Sequence, residues 1–171
     1  VLSGEGKEIT FVILREGDYF GELSLIDGRR RSATVTAIES SELWVLGHSE
    51  YELLLREHPH TATRFLTRLL LALANRMRAT DELSQDAVFL DVSSRLAKFL
   101  LSASIEDKLS GQGQRRLDVR LSQYELGTMV NASRESVNKQ LRDWEEQGIV
   151  DVDKGKITLL SPEHLQQIAE G

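Results

Sequence analysis

Short apolar runs alternate with glycine and charged residues over the first 47 positions of the chain. The β-branched and apolar content of residues 9–14, 33–38 and 42–46 predicts strands, and the Glu-Gly-Asp sequence at residues 16–18 predicts a turn. Together with the apolar run of residues 19–26, which is also expected on β-structure, these make about four strands, too few to cover the edges of a closed β-roll. We therefore expect that part of this β-domain lies ahead of Val1.

The apolar pattern becomes helical after residue 47. Ser49 and Glu52 have the spacing of a capping box, which predicts a helix over residues 50–56, and Pro59 predicts its end. Residues 61–86 then follow heptad spacing, which predicts a long helix. This seam fits either a second copy of the chain or the chain's own β-domain, and we favour a homodimer through residues 61–86. The seam residues are Leu66, Leu70, Leu73, Met77 and Thr80.

The long helix is expected to end near Asp91, which is a credible N-cap of the next helix and hence a hinge. Residues 106–114 contain two glycines and predict a loop, whereas the apolar alternation of residues 115–121 predicts a short strand. The helix after Asp91 has a predicted buried face made of Leu96, Ala97, Phe99, Leu100 and Leu101.

Residues 122–147 have the pattern of two helices joined by a tight turn. Ser122 and Glu125 form a capping box, and the Asn-Ala-Ser sequence of residues 131–133 suits a turn because Asn tolerates left-handed backbone angles. Gly127 supplies a small residue where the helices would cross, which is typical of a helix-turn-helix. The second helix, residues 134–147, has an inner face of Val137, Leu141 and Trp144.

A hairpin of residues 150–153 and 156–160 is predicted around Lys154-Gly155, like the wing of a winged helix, and Pro162 opens a last helix. The chain has a net charge of −6, yet residues 115–142 contain six basic and three acidic side chains. Arg and Lys can donate to guanine, and Glu can accept from cytosine. A solvated helix face is the alternative, but the capping box, turn, glycine and wing together favour DNA recognition. The outward residues are Arg134, Glu135, Asn138, Lys139 and Arg142.

The composition restricts the possible functions. With 40% hydrophobic and 28% charged residues, the chain is ordinary for a globular protein. We find no apolar run long enough for a transmembrane helix and no pattern of a secretory signal, so a bacterial-type cytoplasm is the expected location. The absence of Cys excludes disulfides, thiolate catalysis and cysteine-ligated metal clusters. No motif indicates an enzyme.

A candidate anion site lies at residues 19–26 and 31–35, where Gly, Ser and Arg stand between apolar runs. Backbone N–H groups near glycines can hold a phosphate, and an arginine can neutralise it. Glu22, placed on the same strand face as Phe20, would accept a hydrogen bond there, for example from a ribose 2′-hydroxyl. The alternative is a glycine-containing hairpin with solvated arginines, and composition leaves both open.

Three motifs in this order resemble those of the Crp/Fnr-type bacterial transcription regulators. They are Phe20-Gly21-Glu22-Leu23-Ser24-Leu25 with residues 31–35, Phe89-Leu90-Asp91-Val92, and Ser133-Arg134-Glu135-Ser136-Val137. The resemblance implies an α+β fold. Its expected parts are a partial cyclic-nucleotide-binding β-roll (1–60), a dimerisation helix and hinge (61–90), and a winged helix-turn-helix DNA-binding domain (91–171).

The resemblance also implies a cyclic AMP effector and the residues that bind it. Arg31 and Ser32 correspond to phosphate ligands and Glu22 to the ribose acceptor, while Thr80 corresponds to an adenine contact. Asp81 stands where the family commonly has Ser or Asn, and a carboxylate can accept from the adenine amino group but cannot donate. The full expected set is Gly21, Glu22, Leu23, Arg31, Ser32, Ala33, Arg76, Thr80 and Asp81.

For DNA, the resemblance assigns base reading to Arg134, Glu135 and Lys139 in half-sites related to TGTGA. Lys139 keeps the charge of the family's arginine but loses its bidentate fork. RNA polymerase is a further implied partner. The alternatives are a regulator that responds to a cyclic dinucleotide or to no effector, and a nucleotide-regulated subunit without a DNA role. The expected DNA-binding set is Ser133, Arg134, Glu135, Asn138, Lys139 and Arg142.

Overall fold

The computed structural model describes Thr10 and residues 12–106, 115–117 and 119–170. These residues form two compact units, of which the first holds residues 13–81 and the second holds residues 82–170 with Thr10 and Val12. The α+β class is confirmed, with helices in both units and an antiparallel sheet in the second. The division at residues 60 and 90 stays a prediction.

The first unit begins with a turn and a short helix. The predicted turn is confirmed, since the Asp18 N–H donates to the Arg15 carbonyl and Gly17 has a φ of 87°. Residues 19–26 were expected on β-structure, but Glu22–Asp27 form a helix, α1. Gly21, with a φ of 79°, turns the chain into that helix.

The strands predicted at residues 33–38 and 42–46 are wrong. Both segments are exposed, and residues 12–46 contain no strand pairing. An extended segment becomes a strand only when another backbone pairs with it, and β-propensity alone does not supply that partner. Trp44 in the second segment is 97% exposed. Residues 9 and 11 of the remaining predicted strand lie outside the described residues.

Two helices complete the first unit, α2 (His48–Glu57) and the start of α3 (Pro59–Phe89). The predicted break at Pro59 is confirmed, but the capping box is wrong. Gly47 precedes α2, and Ser49 lies inside the helix, where its hydroxyl donates to the Glu50 carboxylate. Leu70 and Met77 of the predicted seam are exposed along α3.

The second unit contains the end of α3, helix α4 (Val92–Ala103) and strands β1 (Ser104–Glu106) and β2 (Arg115–Leu117). Asp91 caps α4 as predicted, because its Oδ1 accepts from the Ser94 N–H at 2.8 Å. The inner face of α4 follows the helical period through Leu96, Ala97, Leu100 and Ala103. The flanking Phe99 and Leu101 were expected to be buried but are half-buried.

The remaining elements are helices α5 (Gln123–Val130) and α6 (Arg134–Glu146), strands β3 (Val150–Asp153) and β4 (Lys156–Leu159), and helix α7 (Pro162–Glu170). The sheet is antiparallel in the order β1-β2-β4-β3. Strand β2 is shorter than predicted, and most of the predicted loop at 106–114 lies outside the described residues. The core of this unit includes Leu96, Leu100, Leu126, Val137, Leu141, Trp144, Ile149, Ile157, Leu159 and Leu165.

Local signals fix the ends of α5 and α6 as the sequence predicts. Both capping-box bonds form, from the Glu125 N–H to the Ser122 hydroxyl and from the Ser122 N–H to the Glu125 carboxylate. Asn131 adopts a left-handed φ of 50°, and the Ser133 hydroxyl accepts from the Ser136 N–H at 3.1 Å. The helix-turn-helix geometry is therefore set largely by side chains close in sequence.

Gly127 lies where α5 meets the turn before α6, and we expect Gly127→Ala to destabilise the protein. A Cβ at this position would lie 2.7 Å from the Ala132 carbonyl oxygen. This oxygen belongs to the backbone and can move only slightly to relieve the clash. Overpacking costs about 1–3 kcal/mol, against a gain of about 1 kcal/mol in helix propensity. The difference is about 0–2 kcal/mol, and because the clash is with a backbone atom we expect a net loss in the upper half of this range in urea unfolding followed by circular dichroism.

The matched control is Glu146→Ala on the exposed side of α6, which should change the free energy of unfolding by less than about 0.5 kcal/mol. Equal or greater stability of Gly127→Ala would contradict a tight crossing at this glycine.

Candidate functional site

The first candidate site surrounds the start of α1. Arg31 lies ten residues beyond Gly21, and its Nη1 donates to the Gly21 carbonyl oxygen at 2.5 Å. The guanidinium occupies the space where a side chain at position 21 would begin, so any Cβ there would overlap it. Gly21 is thus needed both for its positive φ and for the approach of Arg31.

Glu22, the residue after Gly21, carries an unusual buried carboxylate. Glu22 is only 8% exposed, and its Oε1 accepts a hydrogen bond from Arg76 Nη1 at 2.7 Å. The second oxygen, Oε2, is buried and has no hydrogen-bond partner among the described residues. A buried acceptor without a donor costs about 1–3 kcal/mol, and more when it is charged. This oxygen is therefore suited to accept from a ligand hydroxyl.

Arg76 and Tyr19 connect this carboxylate to helix α3. Arg76 also donates to the Tyr19 carbonyl oxygen, and its guanidinium lies 5.8 Å from the centre of the Tyr19 ring. The Tyr19 hydroxyl donates to the Arg68 carbonyl oxygen on α3. Burial raises the pKa of this hydroxyl, so it remains a donor at neutral pH. The sequence assigned no role to Tyr19, since its partners are 49 and 57 residues away.

The other residues expected at the nucleotide site are connected less directly. The Thr80 hydroxyl donates to the Arg76 carbonyl oxygen at 2.9 Å. Asp81 is exposed at the next position of α3. Leu23, Ser32 and Ala33 are exposed around α1, and no described hydrogen bond joins their side chains to Glu22 or Arg31.

The second candidate site is the outer face of α6. Val137, Leu141 and Trp144 are buried on the inner face, at most 2% exposed, and this burial fixes the rotation of the helix. The basic side chains then point away from the core. The exposed members of the predicted set are Arg134, Glu135, Lys139 and Arg142.

Ser133 and Asn138 are also in the predicted set, but the structure gives each a partner within the fold. The Ser133 hydroxyl caps α6, while Asn138 is half-buried and its Oδ1 accepts from Gln123 Nε2 at 3.2 Å. Sequence reasoning missed Gln123, because no local pattern marks a contact between α5 and α6. Hydrogen bonds from its own N–H and from Ser133 hold the pKa of Glu135 below its usual range, so its carboxylate is an acceptor at neutral pH.

In the part of the chain that the structure describes, no helix is both long and apolar enough to cross a membrane. Among the same residues, no group of three or more His, Asp or Glu side chains could hold a metal ion, and His58 and His60 belong to no such group.

Comparison with protein families gives two matches. A family model described as a cyclic nucleotide-binding domain matches residues 1–58, and one described as a Crp-like helix-turn-helix domain matches residues 94–168. The first range includes the site around Glu22, and the second includes the outer face of α6.

Individual proteins that resemble this chain belong to the same kinds as the two matched families. The chain is 33% identical over 166 residues to the cyclic AMP receptor protein of Thermus thermophilus, covering 97% of this chain and 72% of that protein. A solved structure of a CRP-family transcriptional regulator from Thermus thermophilus aligns with a TM-score of 0.78 at 27% identity, over 100% of this chain and 82% of the other. A c-di-GMP responsive global regulator from Xanthomonas campestris has the same fold, with a TM-score of 0.69 at 21% identity over 92% and 77% of the two chains.

Proposed function

Because the chain belongs to the Crp/Fnr family of DNA-binding transcription regulators and carries a cyclic nucleotide-binding domain, we propose that it is a homodimeric regulator that responds to cyclic AMP. We further propose that it binds palindromes with TGTGA-like half-sites. The observation that carries the ligand proposal is the buried Oε2 of Glu22, which lacks a donor among the described residues. The cyclic AMP receptor protein of Thermus thermophilus supports the choice of nucleotide.

The residues around α1 fit a cyclic nucleotide in their chemistry. Arg31 has more donors than its bond to Gly21 uses, and a guanidinium pairs well with phosphate oxygens. Exposed Ser32 offers a hydroxyl next to it. A ribose 2′-hydroxyl can donate to the free oxygen of Glu22, while Arg76 holds the other oxygen. The backbone of Gly21, Leu23 and Ala33 and the side chains of Thr80 and Asp81 complete the proposed set.

We expect Glu22→Gln to reduce the preference for a 2′-hydroxyl. In the unmodified chain, cyclic AMP should bind about tenfold or more tightly than 2′-deoxy cyclic AMP, because a hydrogen bond to a charged acceptor contributes about 1.5–3 kcal/mol. The amide of glutamine is a weaker acceptor, so the ratio should fall towards one. Isothermal calorimetry with both nucleotides measures it.

The control is Glu52→Gln, an exposed carboxylate on α2 that should leave the ratio unchanged. If Glu22→Gln retains the full preference for the 2′-hydroxyl, the ribose role of Glu22 is wrong.

In the proposed dimer, binding of the nucleotide changes the affinity for DNA. Leu70 and Met77 of the seam are exposed on α3 and support pairing with a second copy through residues 61–86. The two copies of α6 must then enter successive major grooves, which are about 34 Å apart. A nucleotide can favour that arrangement only through a higher affinity for it than for the alternatives. We propose that Thr80 and Asp81, on the same helix as the seam, supply part of this difference.

A cyclic dinucleotide is the second candidate effector, and Asp81 is the observation in its favour. A carboxylate at this position cannot donate to adenine, so the base end of the site fits cyclic AMP less well than the phosphate end. The c-di-GMP responsive regulator, which has the same fold, supports this candidate. Titration with cyclic AMP, cyclic GMP and cyclic di-GMP distinguishes the candidates, and no binding of any would favour an effector-free regulator.

Three further parts of the proposal follow from the family. A regulator that reads bacterial DNA works where that DNA is, so we place it in the cytoplasm. RNA polymerase is its proposed protein partner. We propose no catalytic activity, since the family consists of transcription regulators.

A further inference from the structure

Arg95, in the first part of α4, joins three backbone carbonyl groups from two other segments. Its Nη1 donates to the Leu90 oxygen at 2.8 Å and its Nε to the Val130 oxygen at 2.9 Å. Its Nη2 donates to the Asn131 oxygen at 3.2 Å. One half-buried guanidinium thus connects the segment after α3 with the turn that precedes α6.

These carbonyls are positions where a cation is favourable. The last carbonyls of a helix lack intrahelical N–H partners, and Leu90 and Val130 stand at the ends of α3 and α5. The partial negative charge at both helix ends also attracts a guanidinium. Lysine could not replace it, because a single ammonium lacks the planar fork that reaches separate acceptors.

A second interaction, an ion pair, connects α3 to α4 near the same junction. Lys98 Nζ lies 2.7 Å from Asp86 Oδ2 and 2.8 Å from Asp86 Oδ1. Lys98 belongs to α4 and Asp86 to the last part of α3. This pair connects α3 to α4, but it does not reach the turn before α6.

We propose that Arg95 is a positioning residue that makes the junction at Asp91 rigid, so that the start of α6 follows the last turn of α3. The sequence predicted a hinge at Asp91; the three hydrogen bonds of Arg95 argue for a fixed joint there instead. A displacement of the end of α3 would then move the DNA-reading helix α6 with it, because the junction does not bend. The ligand-dependent part of this inference rests on the proposed function.

The rigidity itself can be measured without any ligand. Because the chain contains no Cys, Gln85→Cys on α3 and Glu146→Cys on α6 provide two exposed sites for spin labels. Labelled chains are diluted with unlabelled chain so that only distances within one protomer contribute. We expect a narrow distance distribution that becomes about twofold wider or more when Arg95→Lys is added.

The matched control is Arg115→Lys. Arg115 is also half-buried, and its guanidinium also makes more than one hydrogen bond, donating to Ser104 Oγ at 2.8 Å and to the Ser104 carbonyl oxygen at 2.7 Å. It lies in the sheet and does not touch the junction, so the distance distribution should keep its width. The melting temperatures of Arg95→Lys and Arg115→Lys are also compared. If both arginines only stabilise the fold, the two replacements should lower the melting temperature by similar amounts and leave the distance distribution equally narrow.

The functional readout is the gain in DNA affinity on adding cyclic AMP, measured with a TGTGA palindrome. We expect Arg95→Lys to reduce this gain by about tenfold, within the usual range of allosteric coupling, while Arg115→Lys leaves it unchanged. Cyclic AMP affinity without DNA should stay within about twofold.

The outcomes separate this inference from the proposed function. If the unmodified chain does not bind cyclic AMP, the ligand part of the proposed function fails, and the spin-label experiment still decides the role of Arg95. If Arg95→Lys leaves the distribution narrow, or changes it no more than Arg115→Lys does, the rigid-joint proposal is overturned even when cyclic AMP binds well.

Discussion

Replacing Arg31 with alanine is expected to abolish measurable binding of cyclic AMP or of any other phosphate ligand at the site around α1. The change removes the guanidinium that lies on Gly21 and that we propose as the main phosphate contact. Two charge-assisted hydrogen bonds of about 1.5–3 kcal/mol each correspond to a loss of affinity of a hundredfold or more. Isothermal calorimetry at micromolar protein would then detect no heat of binding.

Two companion variants make the result specific. Arg31→Lys keeps the charge but loses the fork, so it should retain part of the affinity. Arg30→Ala removes the neighbouring exposed charge and should change the affinity by less than about threefold, because exposed charges interact weakly. Equal effects at positions 30 and 31 would show that only the general charge of the segment matters.

The double change Arg134→Ala with Lys139→Ala is expected to eliminate sequence-specific DNA binding. Each side chain is exposed on α6 and is proposed to contact a base edge, where a good contact contributes about 1–3 kcal/mol. A homodimer loses these contacts in both half-sites, so affinity for a TGTGA palindrome should fall by about a thousandfold or more. Gel-shift titrations at one fixed salt concentration measure this loss.

The control removes the same charge elsewhere, by Arg29→Ala with Arg56→Ala, both exposed in the first unit. It should leave the preference for the palindrome over scrambled DNA intact. The DNA-reading variant should keep its cyclic AMP affinity and weak binding to scrambled DNA. Undiminished preference for the palindrome after loss of Arg134 and Lys139 would place the reading surface on another part of the protein.

Sequence reasoning was most successful in the second unit, where local signals determine the elements. The reciprocal bonds of Ser122 and Glu125, the left-handed Asn131 and the Lys154-Gly155 turn all act over a few residues. Helices α5 and α6 and the β3–β4 hairpin were therefore predicted to within one or two residues. Apolar periodicity also identified the inner face of α6.

Sequence reasoning was weakest where structure depends on distant partners. A short run with three apolar residues in four, such as Leu23-Ser24-Leu25-Ile26, suits a strand or a helix equally, and the positive φ of Gly21 decides in favour of α1. Residues 33–38 have the composition of a strand but no pairing partner in the first unit. At residue 49, serine follows the start of α2 and cannot cap it.

In the candidate sites, too, sequence reasoning missed contacts between residues that are distant in the chain. Arg31 and Glu22 were named from composition and resemblance, but the pairing of Glu22 with Arg76 joins residues 54 positions apart. Gln123 and Arg95 were not found. Arg95 donates to backbone carbonyls, which every residue carries, so no pattern of side chains could reveal it.

The two tryptophans of the chain stand at opposite extremes of exposure and in different units. Trp44, in the first, is 97% exposed, whereas Trp144, on the inner face of α6, is 2% exposed. An indole in water emits at longer wavelength and is quenched by acrylamide, whereas a buried indole emits at shorter wavelength and is protected. The chain thus carries one tryptophan in each unit, and the two emissions can report separately on the surroundings of Trp44 and on unfolding of the second unit, without any added label.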